Sequence, residues 1–199
     1  MNVIKLLPDE LINQIAAGEV IERPASVLKE VLENCVDAGS TEVNIHLMQG
    51  GLKLIRVTDN GIGISKEDLP YALTRHATSK IGSQEDLQKI VSLGFRGEAL
   101  ASIASVSRLS LTSFQIGSQH AWEIQTEGSQ TIAIQPAAGS LGTSLEIRDL
   151  FFNIPARRKF LKSESTEFAH CEAIFQRIAL SNPNVAFNLY HNGKLRSHF

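Results

Sequence analysis

Cysteine is scarce. Cys35 and Cys171 are the two present in 199 residues, far apart and in no CxxC or metal-ligand spacing. That excludes a disulfide-stapled scaffold and a cysteine-based zinc site, and it reads as two reduced structural thiols in a cytoplasmic protein. No apolar run approaches the roughly 20 residues needed to span a bilayer. The opening Met1 to Glu10 lacks the basic stretch and apolar core of a signal peptide, so no membrane partner is expected. Basic charge is not in excess: 19 Lys and Arg stand against 21 Asp and Glu, a net charge of −2 at pH 7. The domain as a whole therefore makes no electrostatic case for nucleic acid. A local patch is the remaining route to DNA, such as Arg157, Arg158, Lys159 and Lys162, which otherwise form a solvated helix face or pair with acids such as Glu164. The six histidines have no ligand spacing and read as structural or surface residues. No G-x-x-x-x-G-K-[ST] occurs, and Lys66 stands where a third glycine would complete a dinucleotide fingerprint after Gly61 and Gly63. P-loop and Rossmann nucleotide sites are both excluded.

What is present suits one large domain with an ordinary core: 43% of residues are hydrophobic. Leu11, Ile12, Ile15 and Ala16 recur at helical spacing, with Gly18 as a stop. A second helix is predicted from Pro24, a good first-turn residue, to Asp37, closed by Gly39. Val43, Ile45 and Leu47 alternate with Asn44 and His46 as a half-buried strand, and Gly50-Gly51 turns the chain into another, Leu52 to Thr58. Short helices are expected at Lys66–Leu73, Gln84–Val91 and Glu98–Ser105. Strands follow at Ser107–Ser113, Ala121–Thr126, Thr131–Gln135 and Thr143–Asp149. A long helix, Ser165–Leu180, precedes a hairpin built from Val185–Tyr190 and turned at Asn192-Gly193. Its second strand is just complete at Phe199, as in a chain that ends close behind its last element. Helices first and a strand meander after them indicate α+β.

Four pieces carry chemistry. On a helical wheel of Pro24–Asp37, Val27, Leu28, Val31, Leu32, Cys35 and Val36 fill one broad arc. Glu30, Asn34 and Asp37 share a separate arc roughly 60° wide, with Glu33 outside it toward Lys29. Glu30 and Asn34 thus present a carboxylate and an amide to one point, either as a solvated polar face or as a general base beside a metal-ligating oxygen. Asp59-Asn60-Gly61-Ile62-Gly63 ends a strand. It is an ordinary turn, or a place where glycines let backbone approach a flat ligand and Asp59 accepts from an exocyclic amine. Gly94-Phe95-Arg96-Gly97-Glu98-Ala99-Leu100 opens a helix, either as a glycine-capped loop or as backbone amides offered to phosphates, with Thr78, Ser79 and Lys80 as possible additions. Thr143, entering a strand after Gly142, is ordinary strand chemistry or a hydroxyl near Asp59.

In this order the pieces resemble the GHKL (Bergerat-fold) ATPases: type II topoisomerase ATPase parts, ninety-kilodalton heat-shock chaperones, histidine kinases and MutL-type DNA mismatch repair proteins. The likeness is greatest to the MutL type. It is carried by Ile15-Ala16-Ala17-Gly18-Glu19-Val20-Ile21-Glu22-Arg23-Pro24, by Glu30-x-x-x-Asn34-x-x-Asp37-Ala38-Gly39, by Asp59 to Ile64, by Arg75-His76-Ala77-Thr78-Ser79-Lys80, by Gly94 to Leu100 and by Phe151 to Leu161. The resemblance implies a layered α/β sandwich, a mixed and mostly antiparallel sheet with helices on one face. It implies ATP and Mg²⁺ as cofactors, Glu30 as general base, Asn34 as Mg²⁺ ligand and Asp59 as the adenine-recognising carboxylate. Gly61 and Gly63 line the base pocket; Thr78, Ser79, Lys80, Arg96, Gly97, Glu98, Ala99 and Leu100 surround the phosphates in a lid, and Thr143 completes the site.

The resemblance also implies a slow ATPase switch that dimerises through its N-terminal regions when ATP binds. Its partners would be the mismatch recognition protein MutS, a strand-processing endonuclease and helicase, DNA (weakly through this region) and a second copy of itself. On this reading residues 1–199 are the ATPase domain, with a transducer-like second domain and a C-terminal dimerisation domain beyond it. Because that second domain supplies a lysine to the γ-phosphate, this region alone is expected to bind nucleotide weakly and turn it over poorly. The same fold also serves kinases, scaffolds that bind ATP without turnover, topoisomerases and chaperones. The base at Glu30 argues against a kinase and the Phe151–Leu161 segment against a topoisomerase or chaperone, while a scaffold is told apart by whether Glu30→Ala loses hydrolysis and keeps binding.

Overall fold

The structure, a computed structural model, describes residues 8, 12, 17, 18, 21–78 and 97–199. Helix α1 (Pro24–Asp37) has the bounds its periodicity predicts. Proline starts it, and Gly39, at φ +70°, lets the chain turn away. Val27, Leu28, Val31 and Leu32 are buried along it, each contributing about 1.5–3 kcal/mol of apolar burial. The strands are β1 (Glu42–Met48), β2 (Leu54–Asp59), β3 (Arg108–Phe114), β4 (Ala121–Glu127), β5 (Gln130–Ala137), β6 (Gly142–Arg148), β7 (Ala186–His191) and β8 (Lys194–His198). They form one sheet in the order β5-β4-β3-β6-β2-β1-β7-β8. All neighbours are antiparallel except β1 with β7, which run parallel.

Period-two burial gives the sheet a helix-covered face and a polar one. Val43, Ile45, Leu47, Ile55, Val57, Leu109, Leu111, Leu145 and Ile147 point into the core. Arg56 with Glu146, and His46 stacked on Tyr190, occupy the opposite face. The core face is covered by α1, by α3 (Ala99–Ser105) and by the long α5 (Glu164–Ser181), whose Phe175 meets Phe187 of β7 edge-on. Ser163 caps α5 by accepting the Thr166 amide. The α+β class and the one-sided layering expected from the sequence are those of the molecule.

Several expected boundaries shift, for local reasons. The strand foreseen from Leu52 starts at Leu54, because Gln49–Gly51 form a 3-10 turn first. The helix foreseen at Lys66–Leu73 shrinks to α2 (Leu69–Ala72). Ser65 and Asp68 close a side-chain turn ahead of it, with Ser65 Oγ donating to Asp68 Oδ2 at 2.8 Å and accepting the Asp68 amide at 3.0 Å. The basic segment after Phe151 contains a short helix, α4 (Pro155–Arg158), which carries Arg157 and Arg158 but ends before Lys162. Glu164 does not pair with that basic cluster: Asn192 Nδ2 donates to its Oε1 at 2.7 Å, and His191 lies 3.4 Å away. Ala17 and Gly18 are helical, with the Ile21 amide donating to Ala17 O at 2.7 Å, and Ile21 is no longer helical. The rest of the helix expected over Leu11–Ala16, and the one over Gln84–Val91, lie outside the described residues.

Candidate nucleotide site

The site is organised by one row across three strands. Asp59 is the register partner of Thr143, and Thr143 of Ser113, so all three stand side by side on the helix-covered face. Asp59 ends β2 and is 8% exposed. Its carboxylate is wrapped in donors. Ser40 Oγ donates to Oδ1 at 3.1 Å, the Gly61 amide donates to Oδ1 at 2.8 Å, and Cys35 Sγ donates to Oδ2 at 3.5 Å. The Thr143 amide adds another. Among the described residues no lysine, arginine or histidine forms an ion pair with it. Burial, the largest influence, pushes the Asp59 carboxyl above its ordinary value of 3.8, and the four donors pull the other way. A buried carboxylate that hydrogen bonds hold in place, without a neutralising cation, is an acceptor shaped for a polar neutral donor.

The Thr143 hydroxyl lies 3.0 Å from Ser113 Oγ; Ser113 also donates to Gly142 O and accepts the Ile64 amide at 2.7 Å. The threonine therefore reaches Asp59 through its backbone, while its hydroxyl ties the 61–64 loop to β3 and β6. Gly63, at φ +73°, lies so close to β3 that an added Cβ would stand 2.5 Å from Phe114 O. Gly142 is tighter. At φ +105° an added Cβ would come within 2.0 Å of Asp59 O. Gly142→Ala is expected to destabilise the fold by about 1–3 kcal/mol from backbone strain alone. The thermal midpoint should fall by several degrees, and an unchanged melting curve would refute this close approach.

Glu30 and Asn34 stand on α1, half-buried. Lys29 Nζ reaches Glu30 Oε1 at 3.2 Å and Glu33 Oε2 at 3.0 Å. Glu30 also borders a groove between α1 and α5 lined by Arg23, Ser26, Lys29, His170 and Arg177. Asp59 is not part of that groove. No direct contact joins Glu30 to Asp59; the two are connected through α1 itself, whose Cys35 touches the Asp59 carboxylate.

The phosphate-side candidates are brought together in part. Gly97 packs so closely on Ala77 and Thr78 that an added Cβ would stand 2.4 Å from Ala77 O. His76 Nδ1 and Glu98 Oε1 are 3.0 Å apart. Residues 76–78 and 97–98 therefore meet, and Ala99 and Leu100 form the first turn of α3 behind them. Ser79, Lys80 and Arg96 lie outside the described residues. Among those described, no three His, Cys, Asp or Glu side chains cluster as a metal cage. A Mg²⁺ ion here would have to be held mainly by phosphate oxygens and water, with the Asn34 amide oxygen as the candidate protein ligand.

Sequence reasoning missed Ser40 and Cys35 as partners of Asp59. Cys35 sits within the apolar arc of α1 and was counted as core. Ser40 follows a helix-ending glycine and gave no signal.

A profile of the histidine kinase-, DNA gyrase B- and HSP90-like ATPases matches residues 21–141. The chain belongs to this ATPase family. Within it the chain is similar to the DNA mismatch repair protein MutL. It is 59% identical over 191 residues to that of Thiobacillus denitrificans, covering 96% of this chain and 32% of the relative. It is 59% identical over 192 residues to that of Pseudomonas fluorescens, covering 96% and 30%. The chain thus spans about a third of the length of these relatives. The Aquifex aeolicus MutL ATPase domain complexed with ADP matches its fold with a TM-score of 0.72 at 37% identity, over 90% of this chain and 64% of that one. No described helix is long and apolar enough to cross a membrane.

Proposed function

We propose that this region binds ATP with Mg²⁺, hydrolyses it slowly, and serves as the nucleotide switch of a MutL-type mismatch repair protein. The observation that carries the reading is Asp59, a buried carboxylate with no ion-pair partner among the described residues, fixed by four donors beside close-packed glycines. Such a group accepts from the exocyclic amine of adenine, and a base with a carbonyl there would set acceptor against acceptor. Glu30 acts as general base for the attacking water, and the Asn34 amide oxygen ligates Mg²⁺. An ion held there would supply charge compensation for the phosphates. Thr78, Ser79, Lys80 and Arg96 to Leu100 enclose the phosphates. The contact between residues 76–78 and 97–98 supports this, because it brings Thr78 beside Gly97 and the first turn of α3.

Nucleotide drives association of two such regions to the extent that it binds the associated form better. The partners proposed for the whole protein are MutS, a strand-processing endonuclease and helicase, DNA weakly through this region, and a second copy of the protein. Residues 1–199 serve as its ATPase domain, and hydrolysis by this region is slow. Titration with a non-hydrolysable ATP analogue and Mg²⁺ tests the binding reading, with size-exclusion on the whole protein for the switch. Saturable protection of residues around Asp59 and Asn34, and a shift from monomer to dimer, are expected. No protection at Asp59 would overturn the nucleotide reading, and protection without dimerisation would overturn the switch alone.

A further inference from the structure

The four donors around Asp59 are not equivalent. Oδ1 accepts a hydroxyl and an amide, Ser40 at 3.1 Å and Gly61 at 2.8 Å. Oδ2 accepts the Cys35 thiol at 3.5 Å, and a thiol is a weak donor. Of the contacts that hydrogen-bond geometry assigns to one oxygen, the weakest donor is therefore the one on Oδ2. Cys35 is 4% exposed and stands one residue beyond Asn34, on the side of α1 that packs toward β2.

We infer that Cys35 is a positioning residue for nucleotide recognition: its thiol holds the Asp59 carboxylate so that Oδ2 faces the base and accepts the exocyclic amine beside the S–H donor. This rests on the proposed role of Asp59 in reading adenine. Cys35 itself touches Asp59 and acts through it. The inference also gives a reason for a buried cysteine at this point of α1 that apolar packing alone does not supply: packing uses its volume, whereas recognition uses its proton.

The test separates the thiol contact from the nucleotide reading by measuring each independently. The titration of the Asp59 carboxyl is followed by ¹³C NMR in the ligand-free chain, and Mg²⁺·ADP affinity is measured against pH. Removing the donor in Cys35→Ala should move the Asp59 titration to higher pH, because the charged form loses a hydrogen bond. It should weaken ADP about threefold to tenfold and shift the pH dependence of binding in the same direction. Cys35→Ser, which keeps a donor, should bring both measurements back toward the unmodified chain. Should Cys35→Ala not fold, Cys35→Val, which fills the space without donating, replaces it. An unmoved Asp59 titration in the donorless variant overturns the inference, and so does a Cys35→Ser variant that behaves like Cys35→Ala. A titration that moves while the unmodified chain binds no ADP would instead strike down the nucleotide reading and leave the thiol–carboxylate bond standing.

Discussion

Glu30→Ala should abolish steady-state ATP hydrolysis, lowering turnover by at least about 100-fold, while the nucleotide still binds. That factor corresponds to about 2.7 kcal/mol of transition-state stabilisation. The expectation follows from where the carboxylate stands. Glu30 is one helical turn before Asn34 on α1, with its side chain 25% exposed and so open to a water molecule. It is separate from the donors around Asp59, so its removal leaves base recognition intact. A group that acts in the chemical step alone lowers kcat and kcat/KM together and leaves ground-state binding alone. Turnover and ADP affinity, measured on the same preparation, decide the matter. Unchanged turnover would remove Glu30 from the chemistry and favour a nucleotide-binding scaffold; a matching loss of affinity would make it a binding residue. Lys29, held between Glu30 and Glu33, is expected to survive the change as a partner of Glu33.

Asp59→Asn should cost more than a hundredfold in nucleotide affinity, about 2.7 kcal/mol or more. The amide has the carboxylate's shape, but one of its two ends donates. Ser40, Gly61, Cys35 and Thr143 all present donors to this side chain, so at least one is left facing another donor in a buried place. If the amide end turns outward instead, it meets the adenine amine with the same conflict. Binding of ADP by calorimetry checks this, and affinity within threefold of the unmodified chain would exclude Asp59 as the base-reading group.

The same carboxylate sets a pH dependence with a defined sign. Its carboxyl titrates above 3.8 in the folded chain because burial disfavours the charge. Between 3.8 and that raised value the folded state holds a proton that the unfolded chain has released. The stability this group contributes is therefore full below 3.8 and is lost as pH rises through the window. Recognition of the amine needs the ionised form, so nucleotide affinity runs the other way, falling as pH is lowered through the same window.

Several elements were legible because their causes are local. The bounds of α1 follow from a proline at its start, a heptad-like apolar arc and a glycine after its end, all within 16 residues. The β7–β8 hairpin follows from alternation around Asn192-Gly193. The grouping of Glu30 with Asn34 is a property of one helix. Glu33 shows the limit: the wheel turned it toward Lys29, and it does meet Lys29, yet it is 9% exposed. Its burial depends on what packs against that flank, which a wheel does not contain. Likewise Ser65 and Asp68 shortened α2 by a side-chain bond that apolar periodicity does not register.

The sequence by itself determined most of the described elements, the α+β class and the residue types available for chemistry, because spacing and composition act over a few residues, and its motifs carried the resemblance to GHKL ATPases. Tertiary structure alone decided that β1 lies parallel to β7 across more than a hundred residues of chain, and that β6 enters the sheet between β3 and β2. That insertion sets Thr143 beside Asp59, and the packing of α1 on β2 brings Cys35 onto the same carboxylate. Pairings of this kind depend on which strands bury their apolar faces together, a property of the whole sheet, and hydrogen bonds between distant residues exist once that choice is made.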